Sequence, residues 1–192
     1  EEAFPGDVIG LNNPAGGLFQ IGDALHTGSS VAFEPIPSFS PEVFGYLRPT
    51  EVGASRKSFA KGVDQLLAEG AVQRLKERGN DGPDPLLAAV GELQFEVVVD
   101  RMQGEYGVSC AVERVSYTIA RWCRPELPPE EAWAAVDAAK KEGALTGAFY
   151  AEDMFGRPVL LFRNAYTVER LENDADLDLG LQPWALPPAT AP

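Results

Sequence analysis

The chain is poor in the residues with which most enzymes do chemistry. A single histidine, His26, and two cysteines, Cys110 and Cys123, stand among 192 residues, and no glycine is followed by lysine. A phosphate-cradling Walker loop is therefore absent, and with it nucleotide hydrolysis by that route. The glycines at Gly16-Gly17 and Gly22 lack the spacing of a dinucleotide-binding fingerprint. A structural zinc site needs four nitrogen or sulfur ligands, which this inventory does not supply in one place. No apolar run approaches the roughly 18 residues of a membrane-spanning helix. The start, Glu1-Glu2-Ala3-Phe4-Pro5-Gly6, has neither the basic region nor the apolar stretch of a signal peptide. We therefore expect a cytoplasmic protein whose two thiols are reduced and buried on neighbouring apolar strands. The sequence opens without Met and runs at once into strand-like patterning, so a piece of a longer chain is expected.

What remains offers little catalytic machinery. His26-Thr27-Gly28-Ser29-Ser30 is the one place where imidazole and hydroxyls meet, and turn chemistry accounts for Thr, Gly and Ser there. The pairs Glu92 and Glu96, or Glu152 and Asp153, would need burial and opposed pKa shifts to act as acid and base. Glu92 and Glu96 open a helix, where the dipole favours negative charge. No catalytic, cofactor-binding or metal-ligating residue is assigned.

Cations are also scarce: 16 Lys and Arg face 29 Asp and Glu, for a net charge of −13. Broad coating of nucleic acid, free DNA included, depends on neutralising phosphates and is excluded. The exception is local. From Arg48 to Arg78, the residues Arg48, Arg56, Lys57, Lys61, Arg74, Lys76 and Arg78 outnumber Glu51, Asp64, Glu69 and Glu77. Arg56, Lys57 and Lys61 fall on one helix and are the candidates for contacts with phosphates, against the competing reading of an ordinary solvated face. The acidic run Glu169, Glu172, Asp174, Asp176 and Asp178 reads as solvated surface.

Along the chain, Pro5-Gly6-Asp7-Val8-Ile9-Gly10-Leu11 and Gln20-Ile21-Gly22-Asp23-Ala24-Leu25 are turn signals followed by apolar alternation. Residues 1–35 thus read as the final strands of a β-barrel, with a stiff linker at Pro35, Pro37 and Pro41. Residues 36–178 form the main domain. Its core, about 42–115, runs strand 43–49, helix 54–69, strand 71–76, strand 86–90, helix 92–106, strand 108–115. This α+β order predicts a ferredoxin-like split βαβ sandwich. The other face of that sheet needs cover, and the extension 116–178 adds strand 117–123, helix 129–141, strands 146–153 and 158–163, and helix 164–173, which would extend the sheet and enlarge the core. The Pro/Ala-rich tail 179–192 is expected to be disordered, although Trp184 could dock.

The stretch Gly91-Glu92-Leu93-Gln94-Phe95-Glu96-Val97-Val98-Val99-Asp100-Arg101-Met102, followed by Glu105-Tyr106-Gly107-Val108, resembles a motif of translational GTPases. Pro5 to Leu11, Gln20 to Asp23, Ile36 to Phe44, Glu69-Gly70-Ala71-Val72-Gln73 and Ala120-Arg121-Trp122 narrow the resemblance to the peptide chain release factor 3 family. That resemblance implies a factor with a GTPase domain, a β-barrel and a third domain, which assists recycling of codon-reading release factors on the ribosome. This chain would hold the barrel's end and the third domain, facing the small subunit. The family motif would be Gly91, Glu92, Leu93, Gln94, Phe95, Asp100 and Arg101. GTP and Mg would belong to an upstream GTPase domain and no cofactor to this chain. The competing readings are a stand-alone ferredoxin-like domain that binds a ligand or dimerises, and an enzyme using buried carboxylates.

Overall fold

The computed structural model describes residues 2–12, 19, 21–34, 36, 39–51, 53–80 and 82–187. Gly16-Gly17, Gln20, Pro35, Pro37 and residues 188–192, on which some expectations fall, lie outside them. The chain divides into two compact units, Glu1–Glu34 and Pro35–Pro192. In the first, a tight turn at Pro5-Gly6 is closed by the Asp7 amide donating to the Phe4 carbonyl at 3.0 Å. The Asp7 carboxylate accepts from the Phe4 amide at 2.8 Å. The described residues of this unit contain no strand, contrary to the expectation from their patterning. Some 30 residues offer too few ladder partners for a sheet, and Val8, Ile9, Leu11 and Ile21 stay exposed.

The second unit opens with β1 (Val43–Pro49), α1 (Arg56–Ala68), β2 (Gln73–Glu77), β3 (Leu86–Ala89), α2 (Glu92–Tyr106) and β4 (Cys110–Arg114). It continues with β5 (Ile119–Cys123), α3 (Pro129–Lys141), β6 (Phe149–Glu152), β7 (Pro158–Phe162), α4 (Ala165–Glu172) and β8 (Leu181–Gln182). The strands lie in the order β4-β1-β3-β2-β6-β7-β5-β8, every pair antiparallel. The first four strands are ferredoxin-like, as expected. The rest is more than an extension. Read from its outer end, β8-β5-β7-β6 repeats the order β4-β1-β3-β2, with helices in the same places. The unit is two split βαβ halves joined where β2 meets β6, at Lys76 opposite Glu152 and Glu77 opposite Ala151.

Side-chain alternation assigns the faces. Leu47, Leu87, Ala89 and Cys110 pack with Phe59, Val63 and Leu66 of α1 and Phe95, Val98 and Met102 of α2. Cys123, Leu160 and Phe162 pack with Trp133 and Val136 of α3 and Val168 and Leu171 of α4. The alternate positions Phe44, Leu75, Leu86 and Ala88 share one buried cluster with Ala120, Trp122, Ala151, Val159 and Leu161. The helix-free faces of the two half-sheets therefore cover each other, with helices outside. Strands β3 and β7, buried on both faces, carry the apolar runs Leu-Leu-Ala-Ala and Pro-Val-Leu-Leu-Phe.

Caps fix the helices. Ser55 accepts from the Ser58 amide at the start of α1, and Asn164 from the Thr167 amide at the start of α4. Gly107, at φ +64°, ends α2 with the Val108 amide returning to the Met102 carbonyl. Among the described residues no helix is long and apolar enough to cross a membrane. Cys110 and Cys123 are free and buried, but they belong to opposite helix-side cores rather than to neighbouring strands. Burial pushes their thiols up to about 11 and about 12.

The tail corrects another expectation. Leu181 and Gln182 pair with Cys123 and Trp122, Leu179 and Ala185 are buried, and the Leu186 carbonyl accepts from Arg157 at 2.6 Å. Leucines at 179 and 181 supply apolar anchors that a count of Pro and Ala conceals.

Helices α1 and α2 cross closely at Gly62. A methyl group added there would lie 2.6 Å from the Met102 sulfur and 2.9 Å from the Tyr106 ring. Gly62→Ala removes a helix-propensity penalty of about 1 kcal/mol, while overpacking costs roughly 1–3 kcal/mol. We expect net destabilisation, read as a lower urea midpoint; an unchanged or higher midpoint would show that the two helices separate freely.

Candidate functional site

The basic segment of the sequence separates in the structure into cations tied to carboxylates and cations left exposed, the latter being Arg74 on β2 and three residues of α1. Arg48 is bound by Asp84 at 2.9 Å and by Glu113, and Lys76 by Glu152 at 3.6 Å. Arg78 holds Asp137 through two hydrogen bonds of 2.6 and 3.0 Å and lies 3.8 Å above the Trp133 ring. These cations join elements of the fold. Arg56, Lys57 and Lys61 are exposed on the first two turns of α1, and none has an ion-pair partner among the described residues.

Their position opposes the usual placement of charge along a helix. The first turn of α1 holds no acidic residue, so three cations sit at the positive end of the dipole. Helix α3 shows the stabilising order, with Glu130 and Glu131 in its first turn and Lys140 and Lys141 in its last. The three cations at the start of α1 therefore gain nothing from the dipole of their own helix.

The resemblance motif is placed differently, and most of it secures the fold. Gln94 accepts from the Val90 amide at 2.7 Å and donates to the Ala71 carbonyl at 3.0 Å. It thereby fastens the start of α2 to the segment between α1 and β2. Gly91, the residue before α2, is extended. Phe95 is buried beneath the Arg114 guanidinium, 4.3 Å from the ring centroid, and Arg114 pairs with Glu92. Arg101 bridges Glu105 on its own helix, at 2.6 Å, and Glu69 at the end of α1. Of the motif, Glu92, Leu93 and Asp100 are exposed. Sequence reasoning missed Arg114, because its partners are set by the β4–α2 packing and not by spacing.

The residues weighed for chemistry are dispersed. His26 is exposed in the first unit. Asp153 accepts from Arg157 at 2.8 Å and from the Trp122 indole at 3.0 Å, an arrangement suited to holding two strands and the tail together. Glu152 pairs with Lys76. Among the described residues, no group of three or more His, Cys, Asp or Glu is arranged to hold a metal.

The Arg101 bridge gives a pH-dependent prediction. Hydrogen bonds from Arg101 hold the Glu69 and Glu105 carboxyls below their ordinary value of 4.5. A lowered folded-state pKa stabilises the fold above the unfolded-state value and loses that contribution as pH falls through the folded one. Arg101→Met should therefore be less stable than the parent near pH 7, and the difference should shrink as pH drops from about 5 towards 3. Urea midpoints across that range test it; a difference independent of pH would mean that Arg101 acts only by packing.

Comparison with known proteins completes the assignment. The family model described as "Class II release factor RF3, C-terminal domain" matches residues 33–172. "Peptide chain release factor 3" of Synechocystis sp. is 48% identical over 187 residues, covering 97% of this chain and 32% of that protein. The protein of the same name from Acaryochloris marina is 45% identical over 180 residues, covering 93% and 31%. That from Microcystis aeruginosa is 47% identical over 174 residues, covering 91% and 30%. The chain thus spans about a third of the length of the curated relatives it matches, and it belongs to the class II release factor RF3 family, of which it carries the C-terminal domain.

Proposed function

We propose that this chain is the ribosome-facing, non-catalytic region of a factor that acts in translation termination in the cytoplasm. The observation that carries the reading is identity of 48% across 97% of the chain with a peptide chain release factor 3. In this reading the relatives' remaining length holds the GTPase domain, which binds GTP and Mg and hydrolyses the nucleotide. The present chain supplies a rigid contact body. Its partner is the small ribosomal subunit, met through rRNA phosphates by Arg56, Lys57 and Lys61, and codon-reading release factors respond indirectly. A net charge of −13 with a local excess of cations between Arg48 and Arg78 suits a local contact rather than an enveloping one.

The alternatives lack support of this kind. A ligand site between the sheet and α3 would need space, but Trp133, Val136 and Ala139 fill that interface. Acid-base catalysis would need a cleft holding two buried carboxyls, whereas Glu92 and Glu96 are exposed.

Co-sedimentation with 70S ribosomes and with isolated small subunits, at low and moderate salt, tests the reading. Binding should be saturable and weaken with salt. The Arg56→Ala, Lys57→Ala, Lys61→Ala triple variant should bind at least about tenfold more weakly, with a log–log salt slope shallower by roughly 2–3. Unchanged binding would reject the α1 face. No binding, either by this chain or by a longer chain carrying the upstream domains, would reject the function.

A further inference from the structure

Among the described residues, strand β4 is the outer strand at one end of the sheet, and β1 is its sole neighbour. The Val115 amide donates to the Phe44 carbonyl and the Thr50 amide to the Ser109 carbonyl. With the register Tyr46 opposite Glu113 and Arg48 opposite Ala111, residues 109, 111, 113 and 115 are the ones that bond to β1. The N–H and C=O groups of Cys110, Val112 and Arg114 therefore point outward, along an edge with no strand beside it among the described residues. Such an edge is a template for an added strand.

Beside this edge runs a groove of about 560 Å³ between β4 and α2. Phe95, Val99 and Val112 form its apolar floor, and Glu92, Glu96 and Asp100 line the helix side. Phe95 is buried, Val99 and Val112 half-buried. The one cation in the groove, Arg114, is already paired with Glu92 and stacked on Phe95. Glu96 and Asp100 have no partner among the described residues and are exposed. The groove thus combines backbone hydrogen-bonding groups, an apolar floor for alternate side chains and a negative rim.

We infer that the β4 edge and its groove bind an extended, cationic polypeptide segment as a ninth strand. Backbone hydrogen bonds to Cys110, Val112 and Arg114 hold the segment. Its apolar side chains rest on Phe95, Val99 and Val112, and its Lys or Arg residues meet Glu96 and Asp100. Charge selects this occupant over a second copy of the chain, because two copies pairing edge to edge would bring two negative rims together in proteins of net charge −13. The surface is separate from α1, so its test is independent of the Arg56, Lys57 and Lys61 contact.

The test titrates the chain into a fluorescein-labelled hexapeptide of alternating Lys and Val, with the alternating Glu and Val peptide as control, and reads anisotropy. Saturable binding of the cationic peptide is expected, about tenfold weaker in Glu96→Lys, Asp100→Lys protein, with the bound peptide slowing hydrogen exchange at the Val112 and Arg114 amides. Val112→Pro removes an outward donor without a β1 ladder bond and should abolish binding. Should that variant unfold, the charge-reversed protein and the exchange data still decide. The proposal is overturned by absence of saturable binding, by equal binding of the acidic peptide, by indifference to charge reversal, or by unprotected edge amides. Sedimentation equilibrium showing a homodimer closed through β4 would also overturn it.

Discussion

The buried layer shared by Phe44, Leu75, Leu86, Trp122, Val159 and Leu161 is the contact on which the rest of the domain depends. A split βαβ unit packs its helices on one face of its sheet and leaves the other face apolar and open. Two units with that same need satisfy it mutually. Strand β2 makes the joint, pairing with β3 through Gln73 to Leu75 and with β6 through Lys76 and Glu77. Deleting either half would expose its partner's inner face, so the two halves stand or fall as one cooperative body.

Much of this was legible in the sequence for local reasons. Helices α2 and α3 were bounded to the residue, since Gly107 ends one and Pro129 opens the other with acidic residues behind it. The apolar runs at 86–90 and 158–163 were legible as strands, and burial of β3 and β7 on both faces is the physical reason for those runs. The repeat was not legible, because the halves share an order of elements rather than a phrase of residues. The docking of 179–187 was missed for a related reason: two ladder residues and two buried side chains, Leu179 and Ala185, leave little periodicity in a stretch dominated by Pro and Ala.

The candidate site was legible in part. The excess of cations between Arg48 and Arg78 could be counted, but which of them were neutralised depended on partners distant in sequence, such as Asp137 for Arg78 and Glu113 for Arg48. Folding pairs the charges that lie near a carboxylate and leaves exposed those of α1 and Arg74 of β2. The motif from Gly91 to Arg101 drew notice as a signature of function, whereas its best-defined side chains, Gln94, Phe95 and Arg101, make contacts inside the domain.

Those contacts bear on function through position. Helix α1 touches the rest of the fold along Phe59, Gly62, Val63 and Leu66, and its far end is tied to α2 by Glu69 with Arg101, while Gln94 holds the segment just beyond. Each tie restrains where Arg56, Lys57 and Lys61 stand without touching what they would touch. A phosphate contact made by long, flexible side chains gains from such restraint, because less freedom is lost on binding when the helix beneath them is already fixed. A motif can then recur across a family without contributing one atom to the interface. Its substitutions would act by loosening α1 and weakening contacts uniformly, and they would leave the salt slope unaltered because the number of phosphates met is unchanged.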